Sequence, residues 1–230
     1  MRHHACLALL PPAFLLCAAV TAAAGVKLNP AISKDAPIRA IIAHSAHGRS
    51  KELYDDPDWN AFAVRQRCLE LVYPEMPVGD KYTVGQVWDY LDNMAREAAK
   101  QFSRPEIEHL PFILSSHSMI AMSHLAMAQA KPDKVIALVD NHSSCCRDYK
   151  DSNIAPGQIP ANVPRLQMLA QLTEGRTELG DATARNVRKQ TDAPWTTALH
   201  YGADHTTMPP QGFQVAWLEE VSRARPDTIR

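Results

Sequence analysis

The chain has 230 residues, enough for one ordinary domain with a full core or at most two small ones. Hydrophobic residues make up 46% and charged residues 21%, the balance of a soluble globular protein, and the formal net charge is −1. No basic run or stripe appears, which argues against a nucleic-acid partner.

The first stretch reads as an export signal rather than as part of the fold. A short basic start, MRHH, precedes the apolar run ACLALLPPAFLLCAAV, and the small residues TAAAG follow. This order predicts a signal peptide over 1–24, cleaved after Ala22 or Ala24, and a single domain over 25–230 in a secreted or periplasmic protein. The apolar run is short for a membrane span and contains two prolines, so no span is expected in the mature chain. Leu16 stands before Cys17 where lipid attachment needs a small residue. Of five cysteines, Cys68, Cys145 and Cys146 remain after cleavage. Three is odd, and adjacent Cys145 and Cys146 would close only a strained ring, so a bridge from Cys68 to either stays open. No cysteine-histidine spacing of the zinc type accompanies them, and no metal is expected.

In chain order, PIRAIIAHS reads as a buried strand. WNAFAVRQRC has helical spacing, and LELVYPEMP returns to strand character until proline stops it. TVGQVWDYLDNMAREAAKQF is the clearest helix, with Val84, Val87, Leu91 and Met94 on one face and Thr83 as its cap. LPFILSS reads as a strand, MIAMSHLAMAQA as a helix ended by Lys131-Pro132, and KVIALVDNH as a strand without alternation. VPRLQMLAQL and WTTALHYG read as strands, with a helical stretch over 181–190 between them, and PQGFQVAWLEEVSRA closes the chain as an amphipathic helix. Six alternations predict an α/β, doubly wound, mostly parallel sheet of about six strands with helices on both faces. In such sheets ligands collect beyond the carboxyl ends of the strands, so reactive residues should follow strands directly.

Ser118, in SSHSMI, stands at such a strand-to-helix junction. A nucleophile elbow puts its serine there, on a sharp turn above the sheet, with the Met119 amide as one oxyanion donor. Ser115 and Ser116 fall in the strand end, and Ser123 falls inside the helix. His205, in YGADHTTMPP, follows the last strand and is the candidate base, with His200 as a rival inside that strand.

The segment PFILSSHSMIAMSHLAMAQAKPDKVIALVDNHS resembles the strand, elbow, helix and next strand of the α/β-hydrolase family. The similarity is greatest to secreted polyhydroxybutyrate-depolymerase-like and dienelactone-hydrolase-like serine esterases. Gly48-Arg49, Tyr54-Asp55, Trp59 and Pro74-Glu75 match their early segments, and Gly202 and His205 match their glycine-x-x-histidine loop. The resemblance runs from about Ile38 to the C-terminus and implies a minimal α/β-hydrolase fold. It implies a Ser118, His205 and acid triad that cleaves carboxylic esters through an acyl-enzyme, on a small-molecule or polymer substrate, with no cofactor. It places the acid after RLQMLAQL, at Glu174, with Asp181 and Asp140 as rivals. The second oxyanion donor is the backbone of His47 or of Ala46, depending on how the early turn is matched. His44 and His47 read as shaping that loop rather than as metal ligands.

Three positions depart from the family pattern. Ser116 and Ile120 stand where the elbow has glycine, and Thr173 stands where an aspartate would be. Serine is small, but Ile120 is branched and must widen the turn or reshape the pocket floor. These departures support a second reading, an impaired hydrolase-fold protein that binds or acts as a scaffold.

Overall fold

The computed structural model describes residues 25–46, 49–79, 81–142, 162–172, 184–185, 188–189 and 193–224. The expected signal peptide and Cys145 and Cys146 lie outside these residues, as do His47, Thr173, Glu174 and Asp181. The strands are β1 (Gly25–Lys27), β2 (Ala40–Ala46), β3 (Cys68–Val72), β4 (Phe112–His117), β5 (Val135–Asn141), β6 (Arg165–Ala170) and β7 (Trp195–His200). The helices are α1 (Ser50–Tyr54), α2 (Pro57–Gln66), α3 (Val84–Phe102), α4 (Ile120–Ala130) and α5 (Gln211–Ala224). Of the helical stretch expected over 181–190, residues 184–185 and 188–189 are described, and they are helical.

Local chemistry sets the helix ends. Asp56 caps α2 by accepting from the Asp58 and Trp59 amides, with Pro57 in the first turn. Thr83 and Gln86 cap each other's backbone at the start of α3. Arg67 and Ser103 end these helices in the left-handed region.

The described strands form one sheet in the order β1-β3-β2-β4-β5-β6-β7. All neighbours are parallel except β1, which pairs antiparallel with β3, Gly25 opposite Val72 and Lys27 opposite Glu70. The sequence predicts about six strands, and β1 is the seventh. Its three residues are too few to carry a period, and only the free edge of β3 makes them a strand.

Alternate residues feed two cores, one on each face. Phe112 and Leu114 of β4 pack with Trp88 and Leu91 of α3 and Leu125 of α4. Ile113, between them, packs with Trp59 and Phe62 of α2 and Val215 and Leu218 of α5. Burial on both faces explains why β4 and β5 lack alternation in the sequence. The parallel register brings Ala46, His117, Asn141, Ala170 and His200 to one edge of the sheet. Cys68 is buried in β3 with a free thiol, so it joins no disulfide. Burial pushes that thiol up to about 12. No helix among the described residues is long and apolar enough to cross a membrane.

Candidate active site

Two residues separate β4 from α4, and the chain must reverse direction within them. Ser118 does this with φ of 63°, in the left-handed region that a residue with a Cβ rarely adopts. The turn is held from its neighbours. The Ser118 amide donates to the Asn141 carbonyl at 3.0 Å, and the Ala121 amide donates to the Ser118 carbonyl at 3.3 Å. Below the turn, the Ser116 hydroxyl donates to Asp140 Oδ1 at 2.8 Å. Arg165 Nε donates to the other Asp140 oxygen, and the Arg165 guanidinium lies 4.1 Å from the centre of the Trp195 ring. All four groups are buried. Ile120, the first residue of α4, is buried completely, so the turn forms with its side chain packed inside.

His205 lies in the loop between β7 and α5. Its Nε2 accepts from the Ser118 hydroxyl at 2.8 Å, across 87 residues of sequence. The loop is tied to itself by Asp204. One oxygen of that carboxylate accepts from the amides of Thr206 and Thr207, both at 2.9 Å, and from their hydroxyls at 2.8 and 2.9 Å. The hydroxyl bonds, then the amide bonds, hold this carboxyl down at about 2. Arg49, just before α1, donates to the Thr206 carbonyl and pairs with Glu52.

Two further histidines lie against His205, and a third lies against one of them. His117 Nε2 lies 3.0 Å from the His205 carbonyl oxygen, and His142 Nδ1 lies 3.4 Å from the same oxygen. His200 Nδ1 lies 3.2 Å from His142 Nε2. His142 also has positive φ, 46°. Burial pushes its imidazole down to about 4.

The structure thus brings Ser118 and His205 together, with Met119 beside them at the amino end of α4. Amides of a helix's first turn lack intrahelical acceptors. Ser115 and Ser116 lie within β4. Ser123 lies in α4, where its hydroxyl accepts from the Val78 amide at 2.9 Å. His200 ends β7 and faces His142 rather than Ser118. Asp140, the rival acid, bonds Ser116 and Arg165. Ala46 is likewise engaged, its amide donating to Ser50 Oγ at 2.7 Å. His44 does not shape a loop. It lies inside β2, buried, its ring edge-on to Trp59 at 5.0 Å and 4.0 Å from Glu70. Sequence reasoning passed over His117 and His142 as site residues. The available signal was position, since each stands at or just past the carboxyl end of a strand. No cluster of three or more histidine, cysteine or acidic residues among the described residues is arranged to hold a metal ion.

No protein-family model matches the chain, and no curated protein matches it in sequence. Solved structures do match its fold. A lipase/esterase from Lactobacillus plantarum superposes with a TM-score of 0.59 at 14% identity, over 90% of this chain and 94% of that one. Acyl-protein thioesterase 2 from Zea mays gives 0.52 at 14% identity, over 86% and 98%. Dienelactone hydrolase from Anabaena variabilis gives 0.51 at 14% identity, over 85% and 89%. With its doubly wound sheet and the serine turn after β4, the chain has the α/β-hydrolase fold.

Proposed function

We propose that this protein is an exported serine hydrolase that cleaves carboxylic esters. The observation that carries the reading is the Ser118 hydroxyl, raised on a left-handed turn and 2.8 Å from His205 Nε2. A hydroxyl is a weak nucleophile until a base takes its proton, and this contact provides that base. In the first half-reaction Ser118 Oγ bonds to the ester carbonyl carbon and its proton passes to His205 Nε2. The negative charge on the carbonyl oxygen meets the amides of Met119 and His47. Collapse expels the alcohol, which takes the proton from His205. Water, deprotonated by the same nitrogen, then releases the acid and restores Ser118. Glu174 is the acid that orients the His205 ring and stabilises its charged form. The aligned pair favours a working enzyme over a binding or scaffold protein on the same fold. The names of the superposed structures, a lipase/esterase, a thioesterase and a dienelactone hydrolase, favour acyl transfer to water.

A fluorophosphonate probe is expected to label Ser118, and short p-nitrophenyl esters are expected to turn over. Ser118→Ala should remove labelling and lower kcat by roughly 10⁴-fold or more. Thermal unfolding should be nearly unchanged, because alanine meets the same backbone strain at this φ. A folded wild-type protein that neither labels nor hydrolyses any ester overturns the reading. Export rests on the amino-terminal pattern, and sequencing the exported protein should find a start near residue 23 or 25. An intact Met1 contradicts it.

A further inference from the structure

We propose that His142, held in one tautomer by His200, acts with His117 as a positioning residue that fixes the main chain of His205. The proposal rests on the reading of Ser118 and His205 as the reacting pair, and it assigns work to three histidines which that reading leaves idle.

The hydrogen-bond chain admits one neutral arrangement. The His205 carbonyl oxygen can only accept, so the nitrogens facing it must both carry protons: His117 Nε2, at 3.0 Å, and His142 Nδ1, at 3.4 Å. A neutral His142 protonated at Nδ1 has a bare Nε2. That nitrogen must accept, and the group facing it at 3.2 Å is His200 Nδ1, which therefore carries the proton. His142 stays neutral because burial, the largest cause, pushes it down to about 4. Two donors on one carbonyl oxygen occupy both of its lone pairs and set the plane of the peptide that leaves His205.

The geometry gives this a consequence for chemistry. His117 immediately precedes Ser118, and His142 immediately follows Asn141, whose carbonyl accepts from the Ser118 amide. The groups that hold the serine turn and the groups that hold the base are thus adjacent along the chain on β4 and β5. The two side chains that meet at 2.8 Å are fixed to one rigid sheet edge rather than to separate loops. His117 and His142 are buried, where an unpaired ring N–H would be costly, so each is committed to its bond. Asp204 and Arg49 hold the outer side of the same loop.

The test uses isosteres. The amide nitrogen introduced by His142→Asn stands where the imidazole has Nδ1, and the one introduced by His117→Gln can reach where the imidazole has Nε2. His142→Phe keeps the ring and removes the donor. The expected result for His142→Phe is kcat lower by roughly 10–10²-fold with KM changed less than about threefold, since misplacing a reacting group by about 1 Å costs that order. His142→Asn should recover most of the loss, and His117→Gln should exceed His117→Phe in the same way. Fluorophosphonate labelling rates should fall and recover in parallel. If wild type labels and His142→Phe labels equally fast, the proposal is wrong while the esterase reading stands. If wild type does not label, the esterase reading fails first. A readout independent of activity covers variants that do not fold. In nitrogen-15 spectra of the wild type, His142 and His200 should both show the Nδ1–H tautomer, which is the minor form of free imidazole in water. Nε2–H on both rings overturns the proposal.

Discussion

Ser118 is one of four described non-glycine residues with positive φ, and two of the others, Arg67 and Ser103, close helices. The strain at Ser118 is of a different kind, because no glycine relieves it on either side. Ser116 turns its hydroxyl to Asp140 on the neighbouring strand, and Ile120 is wholly buried. The side chains that would crowd a tighter turn are therefore each taken up by packing or hydrogen bonding. Ile120→Gly should remove that packing and add chain freedom. The expected cost is about 3–6 kcal/mol, from about 2–5 for truncating a buried isoleucine and roughly 1 for glycine within a helix. Thermal unfolding checks it, and an unchanged or raised Tm would show that the isoleucine is a burden on the turn.

At the scale of the element, the β7–α5 loop decides whether His205 reaches Ser118. Asp204 holds it through four hydrogen bonds to one carboxylate oxygen. Those bonds favour the charged form, so the folded value lies below the ordinary 3.8, at about 2. The sign follows: a depressed carboxyl keeps its contribution above the ordinary value and loses it only as pH falls through about 2. The latch is therefore closed at all but strongly acidic pH. Asp204→Ala should lower kcat about tenfold with little change in KM, by loosening the base. Asp204→Asn keeps a carbonyl oxygen at the same place and should stay close to wild type. Steady-state kinetics on a short ester decide it, and equal kcat for alanine and wild type would mean that the loop needs no latch. The Asp140, Ser116 and Arg165 group plays the corresponding part beneath the nucleophile turn, tying β4, β5 and β6 together.

For the molecule as a whole, Glu70 is the buried carboxyl with the clearest effect on stability. It lies in β3 next to His44 and 3.4 Å from Lys27 of the edge strand β1. Burial pushes it up to about 7, against the pull of Lys27. A raised value means that the folded state prefers the neutral carboxyl. Its contribution is complete below the ordinary 4.5 and is lost as pH rises through about 7. The shift corresponds to about 3 kcal/mol. Glu70→Gln should therefore gain on wild type between pH 4.5 and 7 in urea unfolding. Comparing the two proteins at each pH separates Glu70 from His44, His124 and His142. Burial holds those three low, and they weaken the fold as pH drops below 6.5. A difference that does not change with pH would contradict the burial account.

The elements were legible along the chain because their signals are local. Thr83 and Gln86 cap α3 from three residues apart, and the unbroken apolar run of β5 announces a strand covered on both faces. The places of Ser118 and His205 were legible too, since both follow strands, and position after a strand is readable without knowing which strand is next to which. The partners came only with the folded arrangement. The 2.8 Å contact between these two residues joins positions 87 apart, and it exists because the order β4-β5-β6-β7 sets their loops on one edge. The same order gives Asp140 to Ser116 and Arg165, and it brings His117 and His142 to His205 and His200 to His142. The strand β1 belongs here too, for three residues have no period of their own and take their conformation from the edge of β3. Helix and strand follow from side-chain spacing within one segment, whereas hydrogen bonds between strand ends depend on sheet order and register, which distant residues set together.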